Sequence, residues 1–147
     1  MISVGNSYAW NLLAVTVMGF QCFVAGTKVA DARKKYNVDY PDMGSGRFAA
    51  KLSDKDWTEF NNIMRVHQNY IEALPFAMAV VLISGLFHPT QSALTALAYI
   101  VGRYVYANGY SSGGAEARLT GAKISMSALF INFLSSLIGI FNTLRSN

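Results

Sequence analysis

The sequence predicts an all-α integral membrane protein built as a bundle of four membrane-crossing helices, and three observations carry that expectation. Of 147 residues, 52% are hydrophobic and only 14% charged, against roughly 25% charged in an ordinary soluble domain. The apolar residues gather in four stretches, Tyr8–Val29, Ile63–Phe87, Ser92–Tyr110 and Ala122–Leu144, each near the ~20 residues that a helix needs to traverse ~30 Å of hydrocarbon. No soluble domain remains once they are removed, so residues 1–147 read as one membrane domain. Helices are expected because lipid offers no partner to a backbone N–H or C=O, and a helix pairs these groups within itself.

The first stretch, 8–29, lacks a basic leader, and its apolar run exceeds the 7–15 residues of a signal-peptide core, so it reads as a mature helix. The connection that follows, "ADARKKYNVDYPDMGSGRFAAKLSDKDWTEF", is long and mixed in charge. It carries Arg33, Lys34, Lys35, Arg47, Lys51 and Lys55 against Asp31, Asp39, Asp42, Asp54, Asp56 and Glu59. The dispersed aspartates read as solvation of a flexible loop. Stretches 63–87 and 92–110 are joined by "HPTQ", a tight turn marked by Pro89. Before 122–144 comes a third connection with Arg118 and Lys123 at its end. Counting Lys and Arg places loops one and three in the cytosol.

Several function classes are excluded or disfavoured. A lone cysteine, Cys22, rules out an intrachain disulfide framework and a cysteine-rich metal site. His88 has no second ligand at metal spacing, so no metal is expected. The net charge of +4 is not gathered into a basic patch interleaved with aromatics, so no nucleic-acid partner is expected.

The informative residues are the polar ones inside the oily stretches. Ionisable groups at membrane depth are costly unless paired or wetted, which makes them functional candidates. In "FNNIMRVHQNYIEALPF", at about 100° per residue, Arg65, Asn69 and Glu72 fall at 0°, about 40° and about −20°, one stripe. His67 falls near 200°, on the opposite face, at about the same helical spacing. In "GRYVYANGY", Arg103, Tyr106 and Tyr110 likewise share a face. Two guanidinium groups, an amide, a carboxylate and two phenols are expected to converge between the second and third helices. The plainer alternative is that Arg65 snorkels with Glu72 as its partner while the tyrosines anchor at the interface. Depth weighs against it, since Glu72 lies about three turns beyond Phe60.

The stretches "ARKKYNVDYP" (32–41), "FNNIMRVHQNYIEALP" (60–75), "FHP" (87–89) and "VGRYVYANGY" (101–110), with the glycine-containing segment up to Arg118, resemble the MAPEG family, membrane-associated proteins in eicosanoid and glutathione metabolism. The resemblance implies a left-handed four-helix bundle assembling as a homotrimer, with a glutathione site between neighbours. Residue by residue, it implies glutathione contacts from Arg65, Asn69, Glu72, Tyr106 and Tyr110 of one protomer, with Arg103 in the same cluster, and from Arg33 and His67 of the adjacent one. Arg118 matches the position of an arginine that activates the thiol. Two departures stand out: His67 and Ala73 occupy positions that are glutamine and tyrosine in leukotriene-C-forming members.

The residue types suit that ligand. Glutathione, as co-substrate, brings two carboxylates, one ammonium and a thiol, and forked guanidinium groups pair with carboxylates while staying charged. Glu72 is the acidic group within the stretches and the natural partner of the ammonium, leaning on Arg65 in its absence. The co-reactant would be a lipophilic electrophile or lipid hydroperoxide entering from membrane lipid past Phe76, Leu86 and Leu97. The resemblance thus implies a glutathione transferase with peroxidase activity, located in the endoplasmic reticulum or another endomembrane. The alternatives are a non-catalytic lipid-binding scaffold of the same fold and a small channel using the Arg and Glu residues as a polar path.

Overall fold

The computed structural model describes residues 5–146, and four long helices account for most of them. They are α1 (Asn6–Tyr36), α2 (Asp54–Phe87), α3 (Pro89–Ala117) and α4 (Leu119–Arg145), with one short 3-10 turn at Ala49–Lys51 between α1 and α2. Within the bundle α1 packs on α2 and α3, and α4 packs on the same two. Successive helices run antiparallel, so α1 and α3 are parallel.

Three helices, α1, α2 and α4, are long and apolar enough to cross a membrane. The expected bundle of four long helices is present, with the third, α3, falling outside that apolar set. The reason lies in its polar content: Thr90, Gln91, Ser92 and Thr95 at one end, Arg103 in the middle, Asn108, Ser111 and Ser112 beyond. Its neighbours cover much of this, burying Ser92, Arg103, Tyr106 and Tyr110. The bundle surface is correspondingly oily, with Trp10, Phe20, Phe23, Leu94, Phe130 and Phe141 exposed. Phe76, Leu86 and Leu97 are exposed as expected.

The core runs along the α1–α2–α3–α4 axis through Met18, Tyr70, Ala77, Val81, Ala96, Tyr99 and Leu129. A second cluster closes the loop-one end, where Val38 and Ala49 of the loop pack on Val29, Ala32, Tyr36, Phe60 and Met64. That end is where the sequence reading needs most correction. Both helices continue past the apolar stretches, α1 by seven residues beyond Val29 and α2 by nine before Ile63.

The connecting aspartates do more than solvate. Asp42 is only 6% exposed; its Oδ1 accepts from the N–H groups of Gly44 and Gly46 and its Oδ2 from those of Phe48 and Ala49, all at 2.8 Å. Burial pushes its carboxyl pKa up, but the four backbone donors outweigh that and hold it at about 2. Asp54 and Asp56 occupy the first turn of α2, where the helix dipole favours anions, and Ser53 caps that helix by accepting from the Asp56 N–H at 3.2 Å.

Two connections are shorter than the sequence suggests. Only His88 separates α2 from α3, because Pro89 takes the first position of α3, where its missing N–H costs nothing. Likewise the third connection is not an open loop. Helix α3 continues to Ala117, interrupted at Gly114, whose φ of 69° is left-handed and favours glycine. Arg118 is then the single residue before α4.

Candidate functional site: a cation–tyrosine column

The site is assembled where α3 and α4 come closest. A side chain at Gly121 of α4 would run into the backbone of Tyr106 and of Gly102, so glycine there lets α4 start directly against the polar face of α3. Val66, Tyr106 and Tyr110 form a small buried cluster at this point, with Ala107 and Ala122 packed around it.

From the bundle centre outward, cations and rings alternate. Arg103 is 4% exposed, and its guanidinium carbon sits 4.2 Å from the centroid of the Tyr70 ring and 4.6 Å from that of Tyr106. Its Nη1 donates to Asn69 Oδ1 at 2.7 Å. Tyr106 meets Tyr110 edge to face at 5.7 Å. Arg118 then closes the column: Nη1 donates to the Tyr106 hydroxyl at 3.4 Å, Nε donates to the Ala115 carbonyl at 2.9 Å, and the guanidinium lies 5.4 Å from the Tyr110 ring. Arg118 is only half-buried, so its charge remains presented to whatever binds beside Tyr106.

Of the expected site residues, Asn69, Arg103, Tyr106, Tyr110 and Arg118 therefore come together within one protomer. The expected convergence is met only in part, because Arg65 and Glu72 stay outside the column. They pair with each other at 3.8 Å on the outer surface of α2, their side chains 50% and 60% exposed, and Arg65 also donates to Gln68 Oε1 at 3.3 Å. The cause is angular: α3 packs against the Val66–Asn69–Tyr70 side of α2, and the 65/72 edge lies just past it.

His67 faces the other way, as the 200° offset predicts, beside Gly26 in a groove between α1 and α2 with Phe23, Thr27, Ile71 and Leu74. Arg33 is held beneath loop one, 7% exposed, donating from Nη1 to the Val38 carbonyl at 3.2 Å and stacked 4.2 Å from the Tyr40 ring. Two contributors escaped the sequence reading. Tyr70 provides one of the two rings around Arg103 and donates its hydroxyl to Gln21 Oε1 at 2.7 Å. The available signal was chemical, since a phenol within an apolar helix needs a hydrogen-bond partner.

The sequence matches the profile of the MAPEG family over residues 11–138. This chain belongs to the MAPEG family. With three long apolar helices and that membership, it is an integral membrane protein with a helical-bundle fold. Among curated relatives of this MAPEG protein is microsomal glutathione S-transferase 2 of Homo sapiens, 29% identical over 140 residues that cover 95% of this chain and 86% of the relative. The protein of the same name from Bos taurus is 28% identical over 140 residues, 95% of this chain and 87% of the relative. An uncharacterized protein of Synechocystis sp., sll1147, is 27% identical over 137 residues, 92% of this chain and 91% of its own length. By its motifs alone the MAPEG chain looks most like the family's type 3 microsomal glutathione transferases, whereas the transferases matched carry the type 2 name.

Proposed function

We propose that this MAPEG protein is a membrane glutathione transferase in which Arg118 ionises the thiol of bound glutathione for attack on a lipophilic electrophile. One observation carries the reading: a half-exposed guanidinium fixed against a phenol, Arg118 Nη1 to Tyr106 hydroxyl, at the end of a buried cationic column. The microsomal glutathione S-transferase names of the relatives support it.

A free thiol of pKa about 8.5 is only ~3% thiolate at pH 7, and the thiolate is the nucleophile. A cation beside the sulfur that lowered this pKa by about two units would supply ~2.7 kcal/mol and leave most of the sulfur ionised. Arg118 is the residue assigned to that role, with Tyr106 and Tyr110 positioning the ligand. Arg65 and Glu72, exposed on one protomer, take a glutathione carboxylate and its ammonium in a site completed by Arg33 and His67 of an adjacent copy in a homotrimer. Attack on an epoxide forms a C–S bond as the C–O bond breaks, and the alkoxide takes up a proton. Attack on a lipid hydroperoxide forms an S–O bond as O–O breaks and an alcohol leaves, after which a second glutathione displaces that oxygen as water and yields the disulfide. Leukotriene-C-type conjugation belongs to the first of these reactions, and an endoplasmic-reticulum location with loops one and three cytosolic fits both.

Rapid mixing of purified protein with glutathione tests the proposal through thiolate absorbance. Wild-type protein should produce a saturable signal at pH 7, and Arg118→Gln should remove it and lower kcat about 25-fold, the fall in thiolate fraction from roughly three-quarters to ~3%, with the glutathione KM changed far less. Equal loss in kcat and affinity would make Arg118 a simple binding residue.

A further inference from the structure

Arg103 stands at the centre of the expected cluster, yet it offers a ligand no surface. It is 4% exposed, and the Tyr70 and Tyr106 ring centroids lie 4.2 Å and 4.6 Å from its guanidinium carbon. Around the guanidinium edge, Nη1 donates to Asn69 Oδ1 at 2.7 Å and Nη2 reaches the Val66 carbonyl at 3.5 Å. Nε is sealed from solvent with no hydrogen-bond partner among the described residues. Neither ion pair found among those residues includes Arg103. Its one short polar bond is therefore the one to Asn69.

A guanidinium donates from every N–H and has no acceptor. Asn69 must therefore turn its carbonyl oxygen inward, because the flipped amide would set an NH2 group against a buried positive charge where the local dielectric is low. With Oδ1 held in place, the planar amide directs Nδ2 away from Arg103. That nitrogen takes no partner among the described residues, and unlike the Arg103 Nε it is not sealed from solvent. Asn69 is half-buried and stands on α2 one turn from both Arg65 and Glu72, between their exposed edge and the buried column. An aspartate at this position would suit Arg103 better by supplying a counter-charge, but it would present no N–H outward. The amide forgoes that ion pair and keeps a donor at the rim.

We propose that Arg103 is a positioning residue for glutathione and not a contact: through Oδ1 it locks the Asn69 carboxamide with its NH2 group turned outward beside the Arg65–Glu72 edge, where that group donates to an acceptor oxygen of the tripeptide. The locked orientation is a property of one protomer. That the donor serves glutathione rests on the transferase reading. Three arginines then divide the work, with Arg118 at the sulfur, Arg65 at a carboxylate, and Arg103 touching neither while fixing a group that does.

Two measurements on the purified protein in detergent test the two halves: thermal unfolding without ligand, and calorimetric titration with glutathione. Asn69→Asp keeps an acceptor facing Arg103 and adds a counter-charge, but loses the outward donor. Its unfolding midpoint should equal or exceed that of the wild type, while its glutathione Kd rises about tenfold or more, the scale of one charge-assisted hydrogen bond. Asn69→Ala should lose both stability and affinity. Arg103→Gln, whose own amide can face Asn69 with either end, releases the lock. Its Kd should rise about two to ten times, the lower figure for an amide that faces outward half the time. In the Asn69→Ala background Arg103→Gln should leave Kd unchanged, whereas a direct contact or the bare field of the cation would give the same factor in both backgrounds. Equal factors would overturn the proposal. So would Asn69→Asp binding glutathione as the wild type does, or unfolding as early as Asn69→Ala, which would mean that Oδ1 does not face Arg103. A wild type without glutathione affinity would overturn the transferase reading, and the order of unfolding midpoints would still decide the orientation.

Discussion

Arg103 and Arg65 are two arginines at comparable depth in neighbouring helices, and the protomer treats them in opposite ways. Arg103 is sealed between Tyr70 and Tyr106 and held by Asn69. Arg65 lies on the open surface with Glu72 at 3.8 Å as its loosely held partner. The first has its environment written entirely by its own chain; the second is left for something outside the protomer to complete.

The strongest test of that difference is Arg103→Leu. It strips Asn69 of its donor and two rings of their cation, and unfolding in detergent should show a loss of about 3 kcal/mol or more. Arg65→Leu should cost less than about 1 kcal/mol in a dissociated protomer. Equal losses in the protomer would break the comparison, whereas a large loss at Arg65 only in the assembled protein would sharpen it.

Asp42 extends the comparison to an acid whose partners all lie in its own loop. Asn at this position keeps one acceptor oxygen and turns an NH2 group toward two backbone donors, so Asp42→Asn should cost about 2–4 kcal/mol. With a folded pKa of about 2, below the ordinary value of about 3.9, the carboxylate's contribution is full above the higher value. It fades as pH falls from there through about 2. An acid titration of loop-one protease sensitivity should show this dependence in the wild type and not in Asp42→Asn.

Smaller effects are expected where helices merely touch. Gly121→Ala drives a methyl into the Tyr106 backbone and should cost about 1–3 kcal/mol, with Arg118 displaced from Tyr106 and turnover lost out of proportion to stability. Smallest for stability is Glu72→Gln, under about 1 kcal/mol. Its glutathione affinity should nonetheless fall about tenfold, the effect of removing one charged contact, as read by calorimetric titration. Unchanged affinity would remove Glu72 from the proposed site.

Much of this was legible from residue order. Hydropathy located the helices because in lipid the solvent itself selects apolar side chains, and helical arithmetic separated His67 from the Arg65 edge because a 3.6-residue period is a local property. Angles about one axis do not reveal which neighbour a face will meet, and so the division of the six expected groups into a buried column and an exposed pair was out of reach. Tyr70 and Gln21 were missed for the same reason, being 49 residues apart in sequence and joined only by packing. Asp42 was misread because four backbone N–H groups converging on one carboxylate leave no trace in composition.

The sequence by itself determined the solvent, the number and approximate reach of the helices, and the inventory of charges carried into the bilayer, since each follows from side-chain chemistry and short-range periodicity. Tertiary structure alone decided which of those charges is satisfied within the protomer and which is offered outward. Burial and pairing depend on where α3 and α4 settle against α2, and that is fixed by the close approach at Gly121 and by the combined packing of all four helices.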